Sequence, residues 1–294
     1  MKMHHAIVVA LCGLPFIARP ALAQTATWSG VDSILGRSGA SQAGEVMRYS
    51  FPRSDLSVTA NGVKLKPAFA LGSWVAFKRG EGHAMAMGDL VLTEAEVAPV
   101  MKALQSGGVM QTALHNHLLG ESPRVMYMHI EAHGDERAIA GTIRRALTLT
   151  KTPLGAGTQP APPPLDLDTA AIAAALGYGG RANGGVYQVG VPRVEQVTEN
   201  GMEIPASMGL ATAINFQSTG SGSAAITGDF VMIADEVNKV IRALQSNGIQ
   251  STAIHSHMLA ESPRLFFMHF WANANAVNLA KGLHDGLAEM NVKK

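Results

Sequence analysis

Two stretches of this chain carry side chains whose types and spacing could do chemistry together. The first holds His115, His117, Glu121 and His129; the second holds His255, His257, Glu261 and His269. Both read H-x-H-x3-E-S-P-R-x4-H, and they stand 140 positions apart. In a β-strand, residues two apart point to the same face. His115 and His117 would therefore project side by side, roughly 6–7 Å apart at two strand rises. Ser122-Pro123 marks a turn. A hairpin centred on Pro123 would set His117 opposite His129, and one centred on Pro263 would set His257 opposite His269. Three imidazoles of each half would then share a sheet face, with the glutamate at the rim. The other face would carry Leu114, Leu118, Met126, Met128 and Ile130 toward helices, and in the second copy Ile254, Met258, Phe266, Met268 and Phe270.

Three imidazoles and a carboxylate suit a divalent transition metal: Zn, Mn, Fe, Ni or Cu. The expectation is one such site, for a metal ion or a small polar ligand, in each half. Three protein ligands plus a water could activate that water or polarise a bound oxygen. Glu121 or Glu261 is then either the fourth ligand or a general base, which makes these two the candidate catalytic residues. The competing reading is structural. A strand histidine is often a half-buried polar residue with a satisfied hydrogen bond, and on this reading Glu121 pairs with Arg124, and Glu261 with Arg264, across a turn. Asp89 and Asp229 read as helix-entry residues, Ser122 and Ser262 as turn residues, and His83 and His133 as surface residues. The letters His-Asn-His do not make a nuclease, since the second copy reads His255-Ser256-His257 and no basic groove accompanies either. H-x-H-x3-E is also similar to the first metal motif of cupin barrels. The glycine after the glutamate is missing and a long helix precedes the motif, so a cupin fold is not expected.

The elements that must position these residues also come twice. A short helix opens each half, with Ser29 capping Val31 to Leu35 before Gly36 and Asp168 capping Ala170 to Leu176 before Gly177. Asn61-Gly62 and Asn200-Gly201 are strong hairpin turns. Strands follow at roughly 68–78 and 83–92, then 206–216 and 223–233. Thr93 and Glu96 form a capping box. Val97, Val100, Met101 and Leu104 recur at helical spacing, as do Val237, Val240, Ile241 and Leu244. After the motif hairpin a last helix turns Ile139, Ile143 and Leu147 inward, and in the second half Ala276, Ala280, Leu283 and Leu287. The order predicts an α+β fold of two tandem repeats, each a largely antiparallel sheet with helices on one face, related by a pseudo-twofold. Periodicity does not say whether the two sheets merge.

The chain has 294 residues, with 23 basic and 22 acidic side chains. Lys2, an apolar run from Ala6 to Ala18, and Ala21-Leu22-Ala23 form a signal-peptide pattern with cleavage after Ala23. Cleavage would take the basic residues from 23 to 21, a net charge of −1, so no basic field invites nucleic acid. The apolar run is too short to span a bilayer, and no membrane insertion is expected after cleavage. Cys12 is the single cysteine; Leu11 before it stands where lipidation needs a small residue. Residues 149–166 are rich in proline and form a linker. The expected divisions are 1–23 signal peptide, 24–148 first repeat domain, 149–166 linker and 167–294 second repeat domain, in a periplasmic or secreted protein.

Several stretches resemble the LppY/LpqO family of exported bacterial proteins, a tandem domain of unknown function. They are Gly88-Asp89, Ala103-Leu104-Gln105, His115 through Arg124 and Met128-His129, with Gly228-Asp229, Ala243-Leu244-Gln245, His255 through Arg264 and Phe267 through Ala272 in the second half. The resemblance covers nearly all of the chain beyond residue 23. It implies export and two domains, and no reaction. Three functions therefore stand side by side: a carrier or sequestering protein with metal or polar-ligand sites, a metal-dependent hydrolase or lyase, and a non-catalytic interaction protein braced by its histidines.

Overall fold

A computed structural model describes residues 27–155 and 164–294. The expected signal segment, 1–23, and the middle of the linker lie outside the described residues. The first half runs α1 (Ser29–Leu35), β1 (Ala40–Gln42), β2 (Val46–Pro52), β3 (Thr59–Ala60), β4 (Val63–Lys64), α2 (Pro67–Ala70), β5 (Gly72–Arg79), β6 (Ala84–Thr93), α3 (Glu94–Ser106), β7 (Met110–His115), β8 (Glu121–Ser122), β9 (Val125–Gly134) and α4 (Glu136–Leu147). The second half runs α5 (Thr169–Leu176), β10 (Arg181–Asn183), β11 (Val186–Pro192), β12 (Val197–Glu199), β13 (Met202–Ile204), a 3-10 turn (Ala206–Met208), β14 (Ala211–Gly220), β15 (Ser223–Met232), α6 (Ala234–Ser246), β16 (Gln250–His255), β17 (Phe266–Asn275) and α7 (Ala276–Ala288). This is the expected α+β order, performed twice.

Each half builds a six-stranded antiparallel sheet. The strand orders are β1-β2-β5-β6-β9-β7 and β10-β11-β14-β15-β17-β16, so the two sheets share no strand among the described residues. One face of each sheet packs on its own helices. In the first half Ala86, Leu90, Leu92, Met128, Ile130 and Ala132 meet Val31, Leu35, Val100, Leu104, Ile139, Ile143 and Leu147. In the second half Ile226, Phe230, Met232, Met268 and Phe270 meet Leu176, Val240, Leu244, Leu283 and Leu287. The other two faces are turned toward each other. Met85 and Met87 of β6 join Val231, Met258 and Phe267 in one apolar cluster. Val91, Tyr127 and Leu118 join Ala225 and Trp271 in another. The layers are therefore helix, sheet, sheet, helix. Each large apolar side chain buried between them contributes about 1.5–3 kcal/mol.

The strand period explains how β6 stays buried along its length. Met85, Met87, Asp89 and Val91 point between the sheets, while Ala86, Leu90 and Leu92 point to the helices. A strand covered on both faces needs no exposed polar row.

Both Asn-Gly pairs make the expected tight turn. Asn61 and Gly62 have φ of 49° and 82°, Asn200 and Gly201 have 49° and 80°, the left-handed pair a two-residue hairpin requires. These hairpins are arms that cross to the other half. Gln217 of β14 accepts from Lys66 N at 2.9 Å and donates to Lys64 O at 2.8 Å. In return Lys78 donates to Glu203 O at 2.8 Å, and Ser207 to Ala43 O at 2.6 Å.

Three expected boundaries shift. The strand starts at 68 and 206 are instead α2, opened by Pro67, whose fixed φ suits a first helical turn, and the 3-10 turn, which follows the extended Pro205. Ser29 lies inside α1 rather than capping it, while Asp168 does accept from Ala171 N at 2.9 Å. Gly36 and Gly177 close their helices with left-handed φ.

Candidate metal centre

The strand pairing departs from the hairpin expected around Pro123. Ala113 stands opposite His129 and His115 opposite Tyr127, with a bulge between Gln111 and Ala113. The second half repeats this with Ala253↔His269 and His255↔Phe267. The chain leaves β7 after His115, so His117 sits in the loop rather than across from His129. That loop is tied down elsewhere, because β8 pairs with β3 through Thr59↔Ser122. The Ser122-Pro123 and Ser262-Pro263 bonds are cis. Of the apolar residues expected toward the helices, Met128, Ile130, Met268 and Phe270 are there. Leu118 and Met258 instead turn between the sheets. Leu114 and Ile254, on edge strands, are 42% and 52% exposed.

The larger departure concerns the number of sites. Because the histidine faces of the two sheets oppose each other, the expected two triads merge into one cluster. The His115 and His255 rings stack at 3.8 Å, His117 lies 3.7 Å from His269, and His129 lies 3.8 Å from His257, centroid to centroid. His115 Nε2 and His269 Nε2 are 3.1 Å apart. The loops carrying the outer histidines are tied across the halves, Thr112 donating to His257 O at 2.6 Å and Thr252 to His117 O at 2.5 Å.

Local backbone sets the chemistry of the strand histidines. His269 Nδ1 is 2.7 Å from Gly228 O, and a Gly88 backbone hydrogen bond does the same for His129. A carbonyl only accepts, so Nδ1 of His269 carries the proton and its Nε2 lone pair faces the cluster. Gly228 has no alternative there: a Cβ on it would stand 1.8 Å from Ala213 O.

Two carboxylates join the imidazoles. Asp89 pairs with His129 across β6 and β9, and Asp229 with His269 across β15 and β17. Asp229 Oδ2 is 2.9 Å from His257 Nε2 and 3.9 Å from His255 Nε2, and Asp89 Oδ2 is 3.4 Å from His117 Nε2. They are strand residues facing the cluster, not helix-entry residues. Their signal was visible: Gly-Asp recurs at the same place in both halves.

Many donor atoms here lack a hydrogen-bond partner among the described residues, including His115 Nδ1, His117 Nε2, His129 Nε2, both nitrogens of His255 and of His257, and one oxygen each of Asp89 and Asp229. Burial and the neighbouring imidazoles hold His115, His117 and His255 far below the ordinary histidine range. Burial pushes His129 and His257 down to about 3 and lifts Asp229 to about 6. Neutral imidazoles with free lone pairs are the form that ligates metals. Three groups have ligand atoms close enough for one ion: His115, His129 and His255; His115, His117 and His269; and Asp229, His255 and His257. Two of the three draw on both halves.

Glu121 and Glu261 stand in none of these groups. Glu261 accepts from Leu265 N at 3.0 Å and from Arg264 at 3.2 Å, bracing its turn. Glu121 takes a Val125 backbone hydrogen bond, but Arg124 reaches toward Glu94 at 4.0 Å. Burial lifts the Glu121 carboxyl to about 7. His83 is exposed, with its ring 6.0 Å from that of His133. His133 is not a bare surface residue, for it lies with Glu131 and Glu199 in a fourth group able to hold an ion. Sequence reading also passed over Arg53 and Arg193, which are buried in ion pairs with Glu96 at 2.8 Å and Glu236 at 2.6 Å.

A family model described as Domain of Unknown Function (DUF1259) matches residues 29–149 and again residues 170–289. No curated protein matches the chain. Among solved structures it is similar to the crystal structure of a trimeric bacterial microcompartment shell protein, PduB. The identity is 15%, over 85% of this chain and 90% of that one, with a TM-score of 0.21, a value too low to bear on the fold. No helix among the described residues is long and apolar enough to cross a membrane.

Proposed function

The chain belongs, once in each half, to the family described as a Domain of Unknown Function, and on that premise we propose that it binds divalent transition metal at a centre assembled between the two copies. The observation that carries this reading is the density of buried, unpartnered donor atoms between the sheets. Leaving one such group unpaired costs about 1–3 kcal/mol, so nine in one place is a poor way to brace a fold. An ion that takes their lone pairs offsets that cost. The 3.1 Å between His115 Nε2 and His269 Nε2 fits either a hydrogen bond or two ligands on one tetrahedral ion, which stand roughly 3.3 Å apart at usual Zn–N lengths. His257 Nε2 and Asp229 Oδ2 are 2.9 Å apart without hydrogen-bond alignment, as ligands of a common ion are.

Two of the donor sets share no residue: His115, His117 and His269, and Asp229, His255 and His257. That supports two ions per chain, of the nitrogen-preferring kind such as Zn2+, Ni2+ or Cu2+. The cross-half contacts come in reciprocal pairs, which supports the pseudo-twofold. The resemblance to the LppY/LpqO family and the signal-like start support an exported protein, periplasmic or secreted.

Catalysis is a second reading, with one observation in its favour. Glu121 is half-buried, its carboxyl lifted to about 7, and with burial it helps raise the pKa of Tyr127, whose ring lies 3.3 Å from that of His117. A carboxyl that changes charge near neutrality, one ring away from a donor histidine, suits hydrolytic or lyase chemistry. The second half has Phe267 in place of Tyr127 and engages Glu261 with Arg264, so such chemistry would belong to one end of the centre.

Metal analysis of tag-free protein tests the main reading. About two equivalents of transition metal are expected, lost together when His115 and His255 are both replaced by alanine in protein that stays folded. A folded wild type that takes up no metal after reconstitution would overturn it in favour of bracing.

A further inference from the structure

The inner face of β9 does not end at the histidine centre. Beyond His129 the same face carries Glu131 and then His133, each about 6–7 Å further along the strand. The arm of the second half brings Glu199 onto them. His133 Nε2 is 2.9 Å from Glu131 Oε1, and Glu199 Oε1 accepts from Ala260 N at 3.0 Å. The ligand atoms of the three lie within 4.8 Å of one another. Glu131 and Glu199 are each only 2% exposed, and Oε2 of both has no hydrogen-bond partner among the described residues. The His133 side chain, 21% exposed, leaves the cluster open to solvent on one side.

We propose that Glu131, His133 and Glu199 form a separate site for one divalent cation, bridging the first half's sheet and the second half's arm on one side of the molecule only. It goes beyond the histidine centre and uses none of its residues. Two carboxylates facing each other inside a protein share a proton or hold a cation. His133 already engages Glu131 Oε1, so the unpartnered Oε2 atoms of Glu131 and Glu199 are the ones left to a cation.

The repeat supplies an internal control. The matched turns Asn61-Gly62 and Asn200-Gly201 make Ala60 the counterpart of Glu199, and the bridges Thr59↔Ser122 and Thr198↔Ser262 agree. Glu131 and His133 correspond to Trp271 and Asn273. On that side Ala60 and Trp271 are buried in an apolar cluster with Phe69, whose ring lies 6.2 Å from Trp271. One side of the molecule thus closes the arm with apolar packing, and the other with carboxylates and an imidazole. The second is held together only when a cation lies between them.

The donor set selects the class of ion. Two carboxylates and one imidazole are harder than the imidazole-rich sets of the histidine centre, yet imidazole disfavours Ca2+ and Mg2+. Mn2+ is the fitting probe. Full-length protein stripped with chelator is titrated with Mn2+, and the free-ion EPR signal is followed. In parallel, zinc uptake by the histidine centre is measured on the same samples. Wild type should hold one Mn2+ that survives His129→Ala. Glu199→Gln and His133→Asn should each weaken it at least tenfold while zinc uptake is unchanged. His133→Asn installs the residue found at the matching place in the other half, so it tests the site even if Glu199→Gln does not fold. Equal Mn2+ affinity in wild type and His133→Asn would overturn the proposal. So would a wild type that binds no Mn2+ while Glu199→Gln gains thermal stability, the result for a proton-sharing carboxyl pair. Loss of zinc uptake with Mn2+ retained would count against the histidine centre instead.

Discussion

At the scale of single residues, the histidine centre is a set of bases kept neutral by burial. The sign of its pH dependence follows. In the unfolded chain these imidazoles protonate near 6.5, whereas in the folded chain His129 and His257 are pushed to about 3, and His115, His117 and His255 are also lowered. Below about pH 6.5 the unfolded state therefore binds more protons, and stability that is present above that pH is lost as it falls. Asp229, Glu121 and Glu131, raised to about 6, 7 and 8, act in the opposite sense. Five imidazoles outweigh three carboxyls once the pH is well below 6.5. Chelated protein should have a lower denaturant midpoint at pH 4.5 than at pH 6.5, measured by urea unfolding. A midpoint that stays level or rises on acidification would mean that the imidazoles are not held neutral.

At the scale of elements, each Asp-bearing strand is clamped where it ends and its helix begins. Arg53 donates to Val91 O at 2.6 Å and to Glu96 at 2.8 Å, and Glu96 in turn accepts from Thr93 N. Arg193 treats Val231 and Glu236 in the same way, at 2.8 Å and 2.6 Å. Leaving a buried charge wholly unpaired costs about 3–5 kcal/mol, and Arg193 would keep Glu195 at 2.9 Å. Glu236→Ala should therefore lower stability by less than that, about 1–3 kcal/mol, in calorimetry or urea titration. Pairing it with Arg193→Met should recover part of the loss, because no charge is then left buried alone. A purely additive double variant would show that the pair is less enclosed than its geometry indicates.

At the scale of the whole molecule, the repeat is not two copies of a working unit. Neither half alone supplies the set His115, His117 and His269, and each half's arm finishes the core of the other. Substitutions in different halves should therefore interact. His115→Ala and His269→Ala should each weaken metal binding by more than the ~10–100-fold typical of a lost outer partner. The double variant should be little worse than either, since both break the same donor set. Independent, multiplying effects in competition titrations would mean that each half binds alone.

The order of elements, the doubled architecture, the Asn-Gly turns and the chemical types at the site were all legible in the sequence, because strand and helix periods and turn chemistry are local. The strand histidines His129 and His269 could be assigned to a face for the same reason. Register was not legible: a bulge near Gln111 and a loop held by β3 moved His117 out of the pairing that symmetry about Pro123 suggested. The two triads, read as separate, became one centre only when the sheets turned their polar faces together. Asp89, Asp229 and the Glu131–His133–Glu199 group gained meaning in the same way. Which side chains of two distant segments share a space depends on packing between layers, and no spacing along one strand carries that information.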